Sequence, residues 1–245
     1  MLVKSKVKYI QTLGQKKFRE QEGLFIAEGP KLVKELLETD AASVKEIYGV
    51  KDWMDDNRKL LNKTSIIEIT EIELEKISQL TTPNKVVAVV KQYDTTDTVT
   101  AKNEITLVLD NVQDPGNLGT IIRIADWFGI KQIICSTDSA DMYNPKVVQS
   151  TMGSIARVKV YYTDLEEWLG SQKGISIYAA SLDGENVTTM KKIKEGIIVF
   201  GNESKGISPG LLNMSTVKIT IPKKGKAESL NVAVATGIIL SHITT

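Results

Sequence analysis

Polar side chains and glycines gather at the ends of apolar runs in three segments of this 245-residue chain. In residues 109–129, LDNVQDPGNLGTIIRIADWFG, an apolar run ends in Asp110 and Asn111, and Pro115, Gly116, Asn117 and Gly119 crowd the turn before a helix. Leu118, Ile121, Ile122 and Ala125 form the buried stripe of that helix, and Arg123 sits off it. In residues 197–208, IIVFGNESKGIS, a strand runs into Gly201, then Asn202, Glu203 and Lys205. In residues 219–240, Lys223, Lys224 and Lys226 surround Gly225, and Ser229 and Asn231 open a helix that is apolar nearly all round. Turns of this kind lie beyond the carboxyl ends of strands, where open α/β sheets bind ligands. A glycine directly after a strand lets a ligand approach the backbone, and a carboxylate such as Glu203 at that place can orient a polar group. Each segment also has a local reading: Asp114 or Asn117 as a helix N-cap, Glu-Ser-Lys-Gly as a solvated turn, Ser229 as an N-cap.

The composition narrows the chemistry. The single histidine, His242, is the fourth residue from the end of the sequence, and Cys135 is the single cysteine. One His and one Cys cannot build a tetrahedral zinc site within one chain, and a terminal turn is a poor place for the base of a nucleophilic triad. Reactivity must rest on Arg, Lys, Asp, Glu, Ser or Asn, or on a cofactor that carries its own. Neither a G-x-G-x-x-G fingerprint nor a phosphate-binding G-x-x-x-x-G-K-[ST] loop occurs, which counts against a nicotinamide oxidoreductase.

Around these segments the periodicity predicts an α/β protein. Apolar content is 42% and charged content 25%, ordinary globular values. A basic surface helix is expected over 6–22, a helix from Pro30 to Glu38, another over 71–80, and strands over 24–29, 43–50, 65–69 and 86–92. A polar, threonine-rich linker follows over 96–104. Strands over 105–110, 131–135, 157–162, 175–180, 196–201 and 217–222 then alternate with helices over 116–128, 144–153, 164–170 and 229–243. Strands that are continuous apolar runs separated by helices predict a parallel sheet covered on both faces. No apolar run reaches the roughly 18 residues that cross a bilayer, the N-terminus lacks a signal-peptide core, and a lone cysteine suits a reducing compartment. A cytoplasmic protein is expected.

Taken together and in order, DPGNLGTIIRIADWFG, FGNESKG and IPKKGKAESLNVAVATGI resemble the three motifs of the SpoU (TrmH-type) RNA 2′-O-ribose methyltransferases of the SPOUT class. Upstream, FREQEGLFIAEGPKLVKELLE and TTPNKVVAVV look like the small substrate-binding domain that many such enzymes carry in front. The resemblance implies residues 1–95 as an RNA-binding α/β sandwich like that of certain ribosomal proteins. It implies residues 105–245 as the methyltransferase domain, with a deep trefoil knot, one of the rare exceptions to unknotted topology. It further implies S-adenosylmethionine as cofactor, contacted at Gly201, Ile221 and Leu230; no metal; Asn117, Arg123, Glu203, Ser229 and Asn231 as polar site residues; and a homodimer with the site near its interface. The accessory domain favours ribosomal over transfer RNA as substrate; a transfer-RNA methyltransferase and a non-catalytic RNA-binding or assembly factor of the same fold are the alternatives. The net charge of +1 gives no global pull toward RNA, so local charge must supply it. Eight lysines and two acids lie between Lys191 and Lys226, and six basic residues and one acid between Lys4 and Glu20.

Overall fold

The computed structural model describes residues 2–61, 65–95 and 99–244, in two compact units. The first comprises residues 1–94 and 141–157, the second residues 95–140 and 158–245.

In the first unit, helices α1 (Lys4–Thr12) and α2 (Lys16–Glu22) replace the single helix expected over 6–22. The break has a clear cause. Leu13 is buried, and the carbonyls of Leu13 and Gly14 accept hydrogen bonds from Arg19 Nη1 at 3.1 and 2.7 Å. Arg19 is only 2% exposed and pairs through Nη2 with Asp141 Oδ2 at 2.6 Å, so it is not part of a basic surface. Strand β1 (Leu24–Glu28) leads into α3 (Pro30–Asp40), which buries Leu32, Val33, Leu36 and Leu37. Strand β2 (Val44–Gly49), helix α4 (Lys51–Asp56), strand β3 (Ser65–Glu68), helix α5 (Glu71–Ile77) and strand β4 (Val86–Lys91) follow. The sheet order is β1-β4-β2-β3, with β4 antiparallel to both neighbours and β2 parallel to β3. Thr70 and Glu73 form a reciprocal cap at the start of α5. At the end of β1 the buried Glu28 carboxylate accepts from Gln79 N at 2.7 Å and from the Ser78 hydroxyl, and burial raises its pKa.

The second unit holds the expected parallel sheet. Residues 96–98 of the expected linker lie outside the described residues; Val99 and Ala101 are fastened to this unit by Trp168 Nε1 donating to Val99 O at 3.2 Å and Ala101 N donating to Gln172 Oε1 at 3.0 Å. Strand β5 (Ile105–Leu109) is followed by α6 (Pro115–Trp127) and β6 (Gln132–Ser136). The chain then supplies helix α7 (Pro145–Thr151) to the first unit. It continues in the second with β7 (Lys159–Thr163), α8 (Leu165–Ser171), β8 (Ile177–Asn186), β9 (Gly196–Phe200), α9 (Pro209–Met214), β10 (Val217–Thr220) and α10 (Val232–Ile243). All six strands are parallel, in the order β10-β8-β9-β5-β6-β7. Strand β8 is longer than expected because it skips residues 180–184 where its register against β10 jumps: Lys218 pairs with Ala179, Ile219 with Glu185. Helix α10 starts three residues later than expected, leaving residues 222–231 irregular and exposed.

Candidate functional site

Strand β5 starts a run toward one edge of the sheet, through β6 to β7, and β8 and β9 occupy the other side. The order reverses between β5 and β9, so the crevice beyond the carboxyl ends of these two strands is the topological switch point, where α/β sheets place their ligands. Two of the three segments singled out in the sequence are the loops that leave β5 and β9.

These loops are tied together. Asp110 N donates to Phe200 O at 2.8 Å, and Asp110 Oδ2 accepts from Ser208 N at 2.7 Å. Asn111 adopts a left-handed backbone (φ 57°), donates its N–H to Ser136 Oγ at 2.9 Å, and accepts at its carbonyl from Asn202 Nδ2 at 2.9 Å. Left-handed conformation in a non-glycine residue is uncommon, and asparagine is among those that tolerate it. Asn111 Oδ1 is buried without a hydrogen-bond partner among the described residues.

The site's central feature is a chain of three side chains. Asn231 Nδ2 donates to Asn117 Oδ1 at 2.8 Å, and Asn117 Nδ2 donates to Glu203 Oε1 at 2.5 Å. One residue comes from each motif segment, 86 and 114 residues apart in sequence. The direction is fixed by chemistry: an ionised carboxylate only accepts, so Asn117 must turn its NH₂ toward Glu203 and its oxygen toward Asn231. Each donor is polarised toward the negative end, and each amide keeps a second N–H for a ligand.

Helix geometry holds these residues in place. Asp114 caps α6, accepting from Asn117 N at 2.8 Å, with Pro115 at the first helical position. Asn231 caps α10, its Oδ1 accepting from Ala233 N and Val234 N at 3.0 and 3.2 Å. Ser229 is therefore not the cap; it lies two residues ahead, exposed, in the irregular segment. Helices α6 and α10 pack on each other, and a Cβ on Gly237 would sit 3.7 Å from Ile124 Cδ1.

Arg123 is not drawn into this chain. Six residues along α6 from Asn117, it lies about 9 Å further along the axis and about 120° around it. It is exposed and has no ion-pair or hydrogen-bond partner among the described residues. Gly201 also behaves otherwise than the sequence suggested. A Cβ there would lie 2.2 Å from the Gly206 carbonyl carbon, so glycine is required by the protein's own turn, closed by the Asn202–Gly206 backbone pair, and not by a ligand alone. Ile221 is half-buried and Leu230 exposed; between them the backbone N–H groups of 223–230 have no protein partner among the described residues. Asp110 and Asn202 stand in the sequence beside the motif residues without a role, and Ser208 goes unremarked; their function as ties depends on the β5–β9 pairing, which local sequence does not display.

Not all of the counted lysines are free. Lys192 Nζ donates to the Ser241 and Thr244 carbonyls at 3.3 Å, Lys218 pairs with Asp183 at 3.1 Å, and Lys6 pairs with Glu46 at 2.9 Å. Lys205, Lys223, Lys224 and Lys226 are exposed.

Comparison with known proteins places the chain in a family. Residues 104–241 match the SpoU rRNA Methylase family, and residues 4–88 match an MRM3-like substrate binding domain. The 23S rRNA (guanosine(2553)-2′-O)-methyltransferase RlmP of Bacillus subtilis is 32% identical over 241 residues, 97% of this chain and 95% of that one. A TrmH-family structure from Porphyromonas gingivalis superposes with a TM-score of 0.87 at 36% identity, covering 100% of this chain and 98% of that one. An AdoMet-bound rRNA methyltransferase from Sinorhizobium meliloti superposes with a TM-score of 0.85 at 31% identity, covering 99% and 95%.

Proposed function

Because the chain belongs to the SpoU rRNA methylase family, we propose that it transfers a methyl group from S-adenosylmethionine to a ribose 2′-hydroxyl of ribosomal RNA. The observation that carries this reading is the Asn231–Asn117–Glu203 chain, which joins all three motifs at the switch point of the sheet.

The residues present fit the cofactor. Among the described residues, the backbone N–H groups of 223–230 and the Oδ1 of Asn111, whose loop is tied to Asn202, have no hydrogen-bond partner and are donors and an acceptor left for it. Ile221, Leu230 and the Gly201 turn are the positions that would hold it. When bound, S-adenosylmethionine supplies an electrophilic sulfonium methyl. The protein would hold the 2′-hydroxyl in line with that methyl and let the hydroxyl proton pass to solvent. What the protein must contribute is alignment, worth on the order of 7–11 kcal/mol when complete. Asn117 and Asn231 present polarised N–H donors, Glu203 orients them, and Ser229 supplies a hydroxyl at the approach. Arg123 clamps the RNA phosphate with its planar guanidinium and polarises the 2′-hydroxyl.

Several features support the wider reading. The exposed Lys205, Lys223, Lys224 and Lys226 suit an RNA backbone beside the site. Residues 1–95 act as the RNA-binding domain and 105–245 as the methyltransferase domain, with the C-terminal part knotted as in its family. Trp127, 85% exposed at the end of α6, and the exposed Val234 on α10 suit burial in a homodimer. No helix among the described residues is long and apolar enough to cross a membrane; the likeness to a bacterial ribosomal-RNA methyltransferase suits work in the cytoplasm. The test is incubation with unmodified ribosomal RNA and labelled cofactor: label in a 2′-O-methyl nucleoside supports the reading, and label confined to bases refutes it.

A further inference from the structure

We propose that Asn202 is a positioning residue for the transfer, its side-chain amide setting the spacing between the Glu203 turn and the Asn117 helix. The inference rests on the functional reading above. Three hydrogen bonds converge on this side chain. Oδ1 accepts from Ser204 N at 2.9 Å and Lys205 N at 3.1 Å, and Nδ2 donates to Asn111 O at 2.9 Å. Two N–H donors on one side and a carbonyl on the other leave no choice in the orientation of the amide.

The two halves of the amide do different work. The oxygen folds the turn that carries Glu203. The nitrogen anchors that turn to Asn111 in the loop leaving β5, which four residues later opens α6 and places Asn117. The Asn202–Asn111 bond and the Asn117–Glu203 bond therefore join the same two segments, starting from neighbouring residues of the β9 turn. Other ties remain without it: Asp110 holds Ser208 N and Phe200 O, and Asn202 and Gly206 pair through their backbones. Removing the side-chain donor thus leaves the loops joined while releasing the register of Glu203 against Asn117, and misplacement of about 1 Å can cost on the order of a hundredfold in rate.

The experiment is a double-mutant cycle between Asn202→Asp and Glu203→Gln, read by single-turnover methyl transfer to unmodified ribosomal RNA at saturating S-adenosylmethionine. Asn202→Asp keeps an acceptor for the Ser204 and Lys205 amides but sets a carboxylate oxygen against the Asn111 carbonyl. It is expected to slow transfer about tenfold to a hundredfold with little change in melting temperature. In the Glu203→Gln background it should add almost no further loss, because both act through one bond. Amide hydrogen exchange supplies an arm independent of activity: exchange at Ser204 and Lys205 should accelerate in Asn202→Ala and stay slow in Asn202→Asp. Wild-type rates in Asn202→Asp, the same fold-loss in both backgrounds, or unchanged exchange in Asn202→Ala overturns the inference while leaving the function standing. An unaltered protein that transfers no methyl group to ribose overturns the functional reading and this inference with it.

Discussion

Asn231 does two jobs that one pair of substitutions separates. Its oxygen caps α10 through Ala233 N and Val234 N, and its nitrogen donates to Asn117. Asn231→Ala removes both. Loss of an N-cap costs about 1 kcal/mol, and loss of a hydrogen bond about another 1 kcal/mol, so the variant should be less stable by about 2 kcal/mol. For a protein of this size that is a drop of about 4–8 °C in Tm. Asn231→Asp keeps the cap, and a negative charge at a helix N-terminus adds about 0.3–1 kcal/mol, offsetting most of the lost hydrogen bond. Its stability should stay within about 1 kcal/mol of the original. It cannot donate, however, and sets a carboxylate against an Asn117 oxygen that cannot turn away, because the Asn117 nitrogen is committed to Glu203. Methyl transfer should therefore fall about a hundredfold in both variants, although only one loses stability. Thermal unfolding and single-turnover transfer on the same preparations decide the matter. If Asn231→Asp transfers at the original rate, Asn231 is a helix cap and the chain to Glu203 has no catalytic part.

Other consequences follow from single sites. Arg123→Ala should leave calorimetric binding of S-adenosylmethionine intact while transfer falls about a hundredfold or more; Arg123→Lys should fail nearly as badly, since an ammonium lacks the planar grip on phosphate, and near-normal turnover in either refutes the phosphate clamp. Asp141→Asn strips the partner from the buried Arg19 and should cost about 3–5 kcal/mol in chemical denaturation; a loss below 1 kcal/mol would show that the pair is not buried in solution. Burial raises the Glu28 pKa above its unfolded value, so the folded state binds the proton more tightly. Its contribution is therefore present at low pH and lost as pH rises through the raised value. Glu28→Gln should remove that part of the pH dependence in urea titrations, and an unchanged profile contradicts it.

The parallel sheet was legible because β5, β6 and β9 are short continuous apolar runs between turn signals, and their burial on both faces leaves few other placements. The stripe of α6 was legible for the same reason: Leu118, Ile121, Ile122 and Ala125 recur at helical spacing and are buried. Failures came where tertiary partners override local pattern. Arg19 reads as one more basic surface residue, and only Asp141, 122 positions away, turns it inward and breaks the helix at Leu13 and Gly14. Helix α4 escaped notice because KDWMDD buries only Trp53 and so has no stripe to detect. Ser229 and Asn231 are equally good caps by residue type; the choice of Asn231 follows from its second bond to Asn117. At Gly201, a glycine after a strand signals close approach correctly, but sequence does not say whether a ligand or the Gly206 backbone does the approaching. Nor does spacing along the chain reveal that α7 packs with the first unit.

The residues gathered beyond β5 and β9 should direct a methyl group to a ribose oxygen. Nucleoside mass spectrometry of unmodified ribosomal RNA incubated with the protein and S-adenosylmethionine tests it, run beside the Glu203→Gln and Arg123→Ala variants. The expected result is one 2′-O-methylated nucleoside, its phosphodiester resistant to alkali, and a yield cut about a hundredfold in each variant. A methyl group on a base, or full ribose methylation by both variants, would contradict it.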